Sequence, residues 1–143
     1  MSLKHVNTAL ATLGALFVLY LGLSFVLSPE TSTPGVGLPH WPAGDGDGFL
    51  VMKGIREVAM GLVLGVLLVT GQRRALGWVL LMEAVAPFGD MINVLAHHGS
   101  AAAAFGIHGL TAVLIVCTGG LFLRETGRAA EASAPAAPAV RPV

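Results

Sequence analysis

The sequence predicts an all-α integral membrane protein: a bundle of four spanning helices with both termini on the cytoplasmic side. Three observations carry that expectation. Of the 143 residues, 55% are hydrophobic and only 11% charged, with mean hydropathy +0.78, whereas soluble domains carry about 25% charged residues. Four stretches each reach the roughly 20 apolar residues that the hydrocarbon core of a bilayer demands. Outside the spans, Lys and Arg fall only in the segments that would share one side, and positive short loops mark the cytoplasmic face.

The first span is expected over residues 6–27, "VNTALATLGALFVLYLGLSFVL", closed by Ser28-Pro29 because proline cannot continue a helix. It is long for a signal peptide and no A-x-A site follows it, so a retained anchor is expected. Residues 28–48 form a long outer loop rich in Pro, Gly, Ser and Thr, a composition of lids and mobile connections. Its "DGDG" is too short for a calcium loop, which needs more oxygen ligands and a closing Glu. The second span covers residues 49–70 and ends at "GQRR", the third 75–97 and the fourth 101–123. Short connections on either side of the third span make its neighbours antiparallel. Together residues 1–124 make one four-span membrane domain, and the Ala/Pro-rich residues 125–143 read as a disordered tail.

Orientation follows from Lys4, Arg73, Arg74, Arg124 and Arg128, which this topology gathers on one side. The opposite loops carry Glu30, Asp45, Asp47, His97 and His98, without Lys or Arg. A multi-pass protein of the cytoplasmic membrane is the expected setting.

Several functions are disfavoured by composition. Zero net charge gives no electrostatic footprint for nucleic acid. A single cysteine, Cys117, allows no intramolecular disulfide and no CxxC pair. No metal is expected, because H-E-x-x-H spacing is absent and His97 and His98 are adjacent rather than a turn apart. No cofactor is implied.

The apolar spans nevertheless contain polar groups that lipid penalises by several kcal/mol each, about 2.5–3.5 at a helix centre on insertion scales. "VMKGIREVAMG", residues 51–61, places Lys53, Arg56 and Glu57 in the first third of span two. At about 1.5 Å per residue, Arg56 and Glu57 lie roughly 10–12 Å inside the outer face, and Asp90, His108 and Tyr20 reach similar depths on the other spans. At about 100° per residue, Glu83, Asp90, Asn93 and His97 fall within about 80° of one another, and Lys53, Arg56, Glu57 and Met60 within about 100°. His108, Thr111 and Thr118 share one side of span four and Cys117 the other, against a Cys/His nucleophilic pair.

Each group also has a bland explanation. Lys53 can snorkel to the interface; Arg56 can form a structural ion pair with Asp90 or Glu57; Glu83 can be a lone protonated acid near mid-span; His97 and His98 can be exposed; and His108 can be a satisfied interior histidine. "GLVLG" at Gly61–Gly65 is a small-xxx-small packing motif. Pro87, in "APFGD", removes the hydrogen bond to the Glu83 carbonyl and bends span three ahead of Asp90.

"KGIREVAMGL", "GDMINV" and "HGLTAV" resemble a family of small four-helix membrane proteins catalogued as domain of unknown function 4267. The resemblance covers most of residues 6–123, and it implies the four-helix fold but no activity. Small membrane proteins of polyketide and terpenoid pathways are similar in type, opening epoxides or cyclising lipophilic intermediates with intramembrane carboxylates; that similarity transfers no residue.

The residues lead to an expected acid–base enzyme acting on a lipophilic small molecule by hydrolysis, isomerisation or cyclisation of an epoxide-like group. Asp90 is the expected general base, Asn93 holds the water, Glu57 or His108 supplies the proton, and Arg56 sets the carboxylate pKa values. Tyr20, Met60, Glu83 and His97 are the expected substrate-binding residues. Membrane lipid and the substrate are the expected partners, with a homo-oligomer open. An oligomeric transporter or proton relay, and a non-catalytic membrane subunit, are the competing expectations.

Overall fold

The computed structural model describes residues 3–40 and 44–132. Among them all regular structure is helical: α1 (Leu3–Leu27), α2 (Pro29–Val36), α3 (Gly46–Val69), α4 (Arg73–Glu83), α5 (Val85–Ala96), α6 (Ala101–Ala103) and α7 (Leu110–Ala132), with a π-helical segment, Ala104–Gly109, joining α6 to α7.

Three helical runs, Leu3–Leu27, Arg73–Ala96 and Ala101–Ala132, are long and apolar enough to cross a membrane. Their surfaces present Leu13, Leu16, Phe17, Phe88, Leu110 and Val113 outward, the reverse of a soluble fold and the expected surface for lipid. The chain is a membrane protein. α3 is long enough but does not join the three, because every 18-residue window along it contains Lys53, Arg56 and Glu57.

α1 and α3 pack antiparallel along glycines. A Cβ on Gly22 would lie 2.8 Å from the Gly54 carbonyl oxygen and 2.7 Å from the Val58 nitrogen, and one on Gly54 would lie 2.7 Å from the Gly22 oxygen. Without lipid-excluding pressure between helices, such backbone approach maximises dispersion contact. Gly61 continues the seam against Leu19, whereas Gly65 meets nothing within 4 Å. The packing pair is therefore Gly54 and Gly61, two turns apart, rather than the Gly61–Gly65 motif. α4 and α7 meet antiparallel in the same way at Gly77 and Gly119.

The apolar core, Ala11, Ala15, Leu64, Leu76, Leu80 and Phe122, lies where α1, α3, α4 and α7 meet near the chain's N-terminus. An ion cluster closes that end. Arg73 grips Glu125 with two hydrogen bonds, Nε to Oε1 at 2.6 Å and Nη2 to Oε2 at 2.8 Å, and its guanidinium lies 4.7 Å from the centroid of the Phe122 ring. The Asn7 amide donates to Glu125 Oε2 at 2.7 Å, and Arg73 Nη1 donates to Thr8 at 3.0 Å.

Three features depart from expectation. Residues 125–132 are helical rather than part of a disordered tail, because Glu125 is tied to α1 and α4; residues 133–143 lie outside the described ones. The outer loop contains a helix, α2, opened by Pro29 at its first position, where the missing N–H costs nothing. α3 starts at Gly46, so the expected "DGDG" turn is partly its first turn. The break before Pro87 is a one-residue interruption at Ala84, between α4 and α5.

Candidate functional site

Three helical runs converge at the end of the bundle opposite the Arg73 cluster. Lys53 of α3 is the hub: its Nζ donates to Asp90 Oδ2 on α5 at 2.9 Å and to Glu57 Oε1, one turn along α3, at 3.2 Å. The same ammonium stands 5.9 Å from the centroid of the Phe25 ring on α1, a favourable contact with the ring face. The rotation of α3 that aims Lys53 this way is set by the Gly22–Gly54 contact next to it in sequence.

His108 comes from the π-helical segment. Ala104–Gly109 makes i→i+5 turns, and such segments concentrate at functional sites because one inserted residue swings the following side chains round the axis. Small residues permit it: Gly106 and Gly109 flank Ile107 and His108, and Gly109 lets the Met91 sulfur approach to 3.0 Å of where its Cβ would be. One imidazole nitrogen is anchored and the other faces a carboxylate. Nε2 lies 2.9 Å from the carbonyl oxygen of Val36, the last residue of α2, and Nδ1 lies 3.9 Å from Asp90 Oδ2.

These two contacts define the proton arrangement. A carbonyl oxygen only accepts, so Nε2 carries the hydrogen and donates it. In the neutral ring Nδ1 is then a lone pair, and it faces a carboxylate oxygen, which is also an acceptor. At 3.9 Å the two atoms are beyond direct hydrogen-bond distance, and the separation fits a bridging molecule with two hydrogens to give. A water oxygen at about 2.8 Å from each subtends about 90° between them, close to the angle between its own hydrogens. Lys53 offers one positive charge to the two carboxyls of Glu57 and Asp90.

The structure thus brings together Glu57, Asp90 and His108 of the expected site and adds Lys53. The ion pair expected of Arg56 belongs to Lys53. Arg56 is at the surface and, among the described residues, has no hydrogen bond or ion pair. The two lie only about 60° apart on a helical wheel at about 100° per residue, so periodicity could not choose between them. Asn93 is at the surface of α5, and Tyr20 is 66% exposed on α1. His97 is also at the surface, its Nδ1 3.0 Å from the Asn93 carbonyl of its own helix. Met60 and Glu83 line a separate shallow groove with Trp78, Met82, Val85 and Ala86. Among the described residues no group of three His, Cys, Asp or Glu has metal-site geometry.

Sequence reasoning missed Val36 and the role of Glu125. The Val36 contact is a backbone carbonyl and leaves no side-chain signal, whereas Glu125 was legible as a lone acid just past an apolar stretch ending at Leu123.

A family model described as a domain of unknown function, DUF4267, matches residues 15–122. The chain belongs to that family. No curated protein and no solved structure matches it. The matched DUF4267 region contains Val36, Lys53, Glu57, Asp90 and His108, and it leaves out Glu125 and Lys4 at the other end.

Proposed function

We propose that this DUF4267 protein is a small membrane enzyme that performs acid–base chemistry on a lipophilic small molecule. The observation that carries the reading is the pair of facing acceptors, Asp90 Oδ2 and His108 Nδ1, beside a lysine that links Asp90 to a second carboxyl, Glu57. Separated proton affinities among adjacent groups are what acid–base catalysis needs.

In the hydrolytic form, a water donates its hydrogens to Asp90 and His108. As its oxygen bonds to the epoxide carbon, the C–O bond breaks and Asp90 accepts the water's proton. Glu57, in its protonated form, gives a proton to the opening oxygen and is reprotonated from the Asp90 side, so the sum is addition of one water. His108 takes over from Asn93 as the second group on the water, and Lys53 takes from Arg56 the task of holding the carboxylates' charge. In isomerisation or cyclisation the same base removes a substrate proton and the same acid returns one.

α3 crosses as the fourth span in this reading, its Lys53 and Glu57 neutralised together with Asp90. The termini are cytoplasmic and the membrane is the cytoplasmic one, from the Lys and Arg bias. The site then lies in the outer half of the bundle.

Comparative mass spectrometry of lipophilic extracts from cells producing wild type or Asp90→Asn tests the reading. A compound that gains one water, or changes retention at constant mass, only with wild type marks a hydrolase or an isomerase-cyclase. Matching extracts at equal protein abundance would remove the enzyme reading. A proton relay is the second reading, favoured by Glu83, which lies within electrostatic reach of Glu57 and extends the line of acids along the bundle. Proton uptake into proteoliposomes, lost in Glu83→Gln, is its signature.

A further inference from the structure

The contact between His108 and Val36 reaches across 72 residues of sequence, and everything around it secures one backbone carbonyl. α2 ends at Val36, and Gly37 follows in the left-handed conformation at φ 84°, a region that side chains disfavour. Gly37 is buried against the turn that opens the fourth span: a Cβ on it would lie 2.5 Å from the Ala103 Cβ. The Gly37 carbonyl accepts from the Ser100 N–H at 2.8 Å, and Ser100 in turn caps the following turn by accepting from the Ala103 N–H at 3.2 Å. Gly99 presses on the same carbonyl so closely that a Cβ there would overlap it.

We infer that the Val36–Gly37 turn is a positioning element for the acid–base pair: its docking on Gly99–Ala103 presents the Val36 carbonyl to His108 and so dictates which ring nitrogen faces Asp90. The partner serves both protonation states. Nε2–H donates to Val36 whether the ring is neutral or charged, so Nδ1 gains or loses its proton without the ring turning. A carbonyl or carboxylate behind a working histidine plays this part generally, fixing tautomer and orientation. Val36 is thus a positioning residue through its main chain, and α2 is the strap that carries it. The strap's contribution to turnover rests on the proposed acid–base function; the tautomer lock does not.

The test is ¹⁵N NMR of the full-length protein in lipid nanodiscs, labelled at histidine, with the His108 signals assigned by their loss in His108→Gln. Wild type is expected to show the neutral His108 ring with hydrogen on Nε2 and a bare Nδ1. Two variants loosen the strap without touching the ring. Gly37→Ala adds the Cβ that meets Ala103. Ser100→Pro removes the N–H that holds Gly37, at a backbone φ of −66° that proline adopts. Either folded variant is expected to convert the single neutral tautomer into a mixture of both, and if Gly37→Ala fails to fold, Ser100→Pro decides. A wild-type neutral ring with its hydrogen on Nδ1 overturns the inference, as does an unchanged single tautomer in a folded Ser100→Pro protein. The readout involves no turnover, so a protein with the lock but no activity would sink the enzymatic proposal alone.

Discussion

His108 Nδ1 and Asp90 Oδ2 face one another at 3.9 Å, and because Nε2–H is given to the Val36 carbonyl, the neutral ring turns its Nδ1 lone pair towards the carboxylate. Two acceptors turned together in a membrane protein are costly unless a proton or a donor joins them. That relationship is why the site is read as chemistry rather than as a structural ion pair, which Lys53 and Asp90 alone would satisfy.

Asp90→Asn is expected to lower turnover by about 10²–10⁴-fold, the usual contribution of a positioned general base. The amide retains the shape and can still accept from Lys53, so abundance and detergent-extracted size should match wild type. Mass spectrometry of the extracts reads the loss, and wild-type levels of product would remove Asp90 from the mechanism.

Lys53→Met and Arg56→Ala should differ sharply. The first strips two charge-assisted hydrogen bonds from Glu57 and Asp90 and is expected to cost about 1.5–3 kcal/mol, the range for bonds to charged groups. The second removes a surface side chain with no partner among the described residues and should stay within about 0.5 kcal/mol. Thermal unfolding in detergent compares them; equal shifts would show that Lys53 is not the hub.

Gly54→Ala is expected to destabilise by about 1–3 kcal/mol or to prevent assembly, since its methyl would meet the Gly22 backbone at 2.7 Å. Gly65→Ala, on the same helix with nothing within 4 Å, should be neutral or stabilising by up to about 1 kcal/mol through helix propensity. A tolerated Gly54→Ala would contradict the α1–α3 seam.

Glu125 gives the acid dependence of stability. It lies beyond the apolar stretch that ends at Leu123, and the hydrogen bonds from Arg73 hold its carboxyl below the ordinary value of 4.5, helped by Asn7 and the nearby positive charges. A depressed carboxyl contributes stability that is present above its unfolded pKa and lost as pH falls through its folded one. Wild type should therefore lose thermal stability as pH drops below about 4.5, while Glu125→Gln starts lower at neutral pH and shows a flatter acid limb. Parallel acid limbs in the two proteins would refute the assignment.

Sequence alone determined the membrane character, the helix breaks near Ser28 and Gln72, the polar positions inside apolar spans and three of the four side chains that meet at the site. These are local matters: apolar length, a proline or glycine that stops a helix, and a charge that lipid penalises wherever the helix turns. What only the tertiary structure decided depends on rotation and distance. Lys53 rather than Arg56 meets Asp90 because the glycine seam with α1 sets how α3 is turned, and the two candidates differ by about 60° on one helix. His108 reaches Asp90 and Val36 through a π-helical segment, whose extra residue per turn shifts the face in a way that regular periodicity does not anticipate. The α2 strap acts through a main-chain carbonyl and Glu125 through a partner 52 residues away; both are long-range contacts, set by how the helices pack rather than by any run of neighbouring residues.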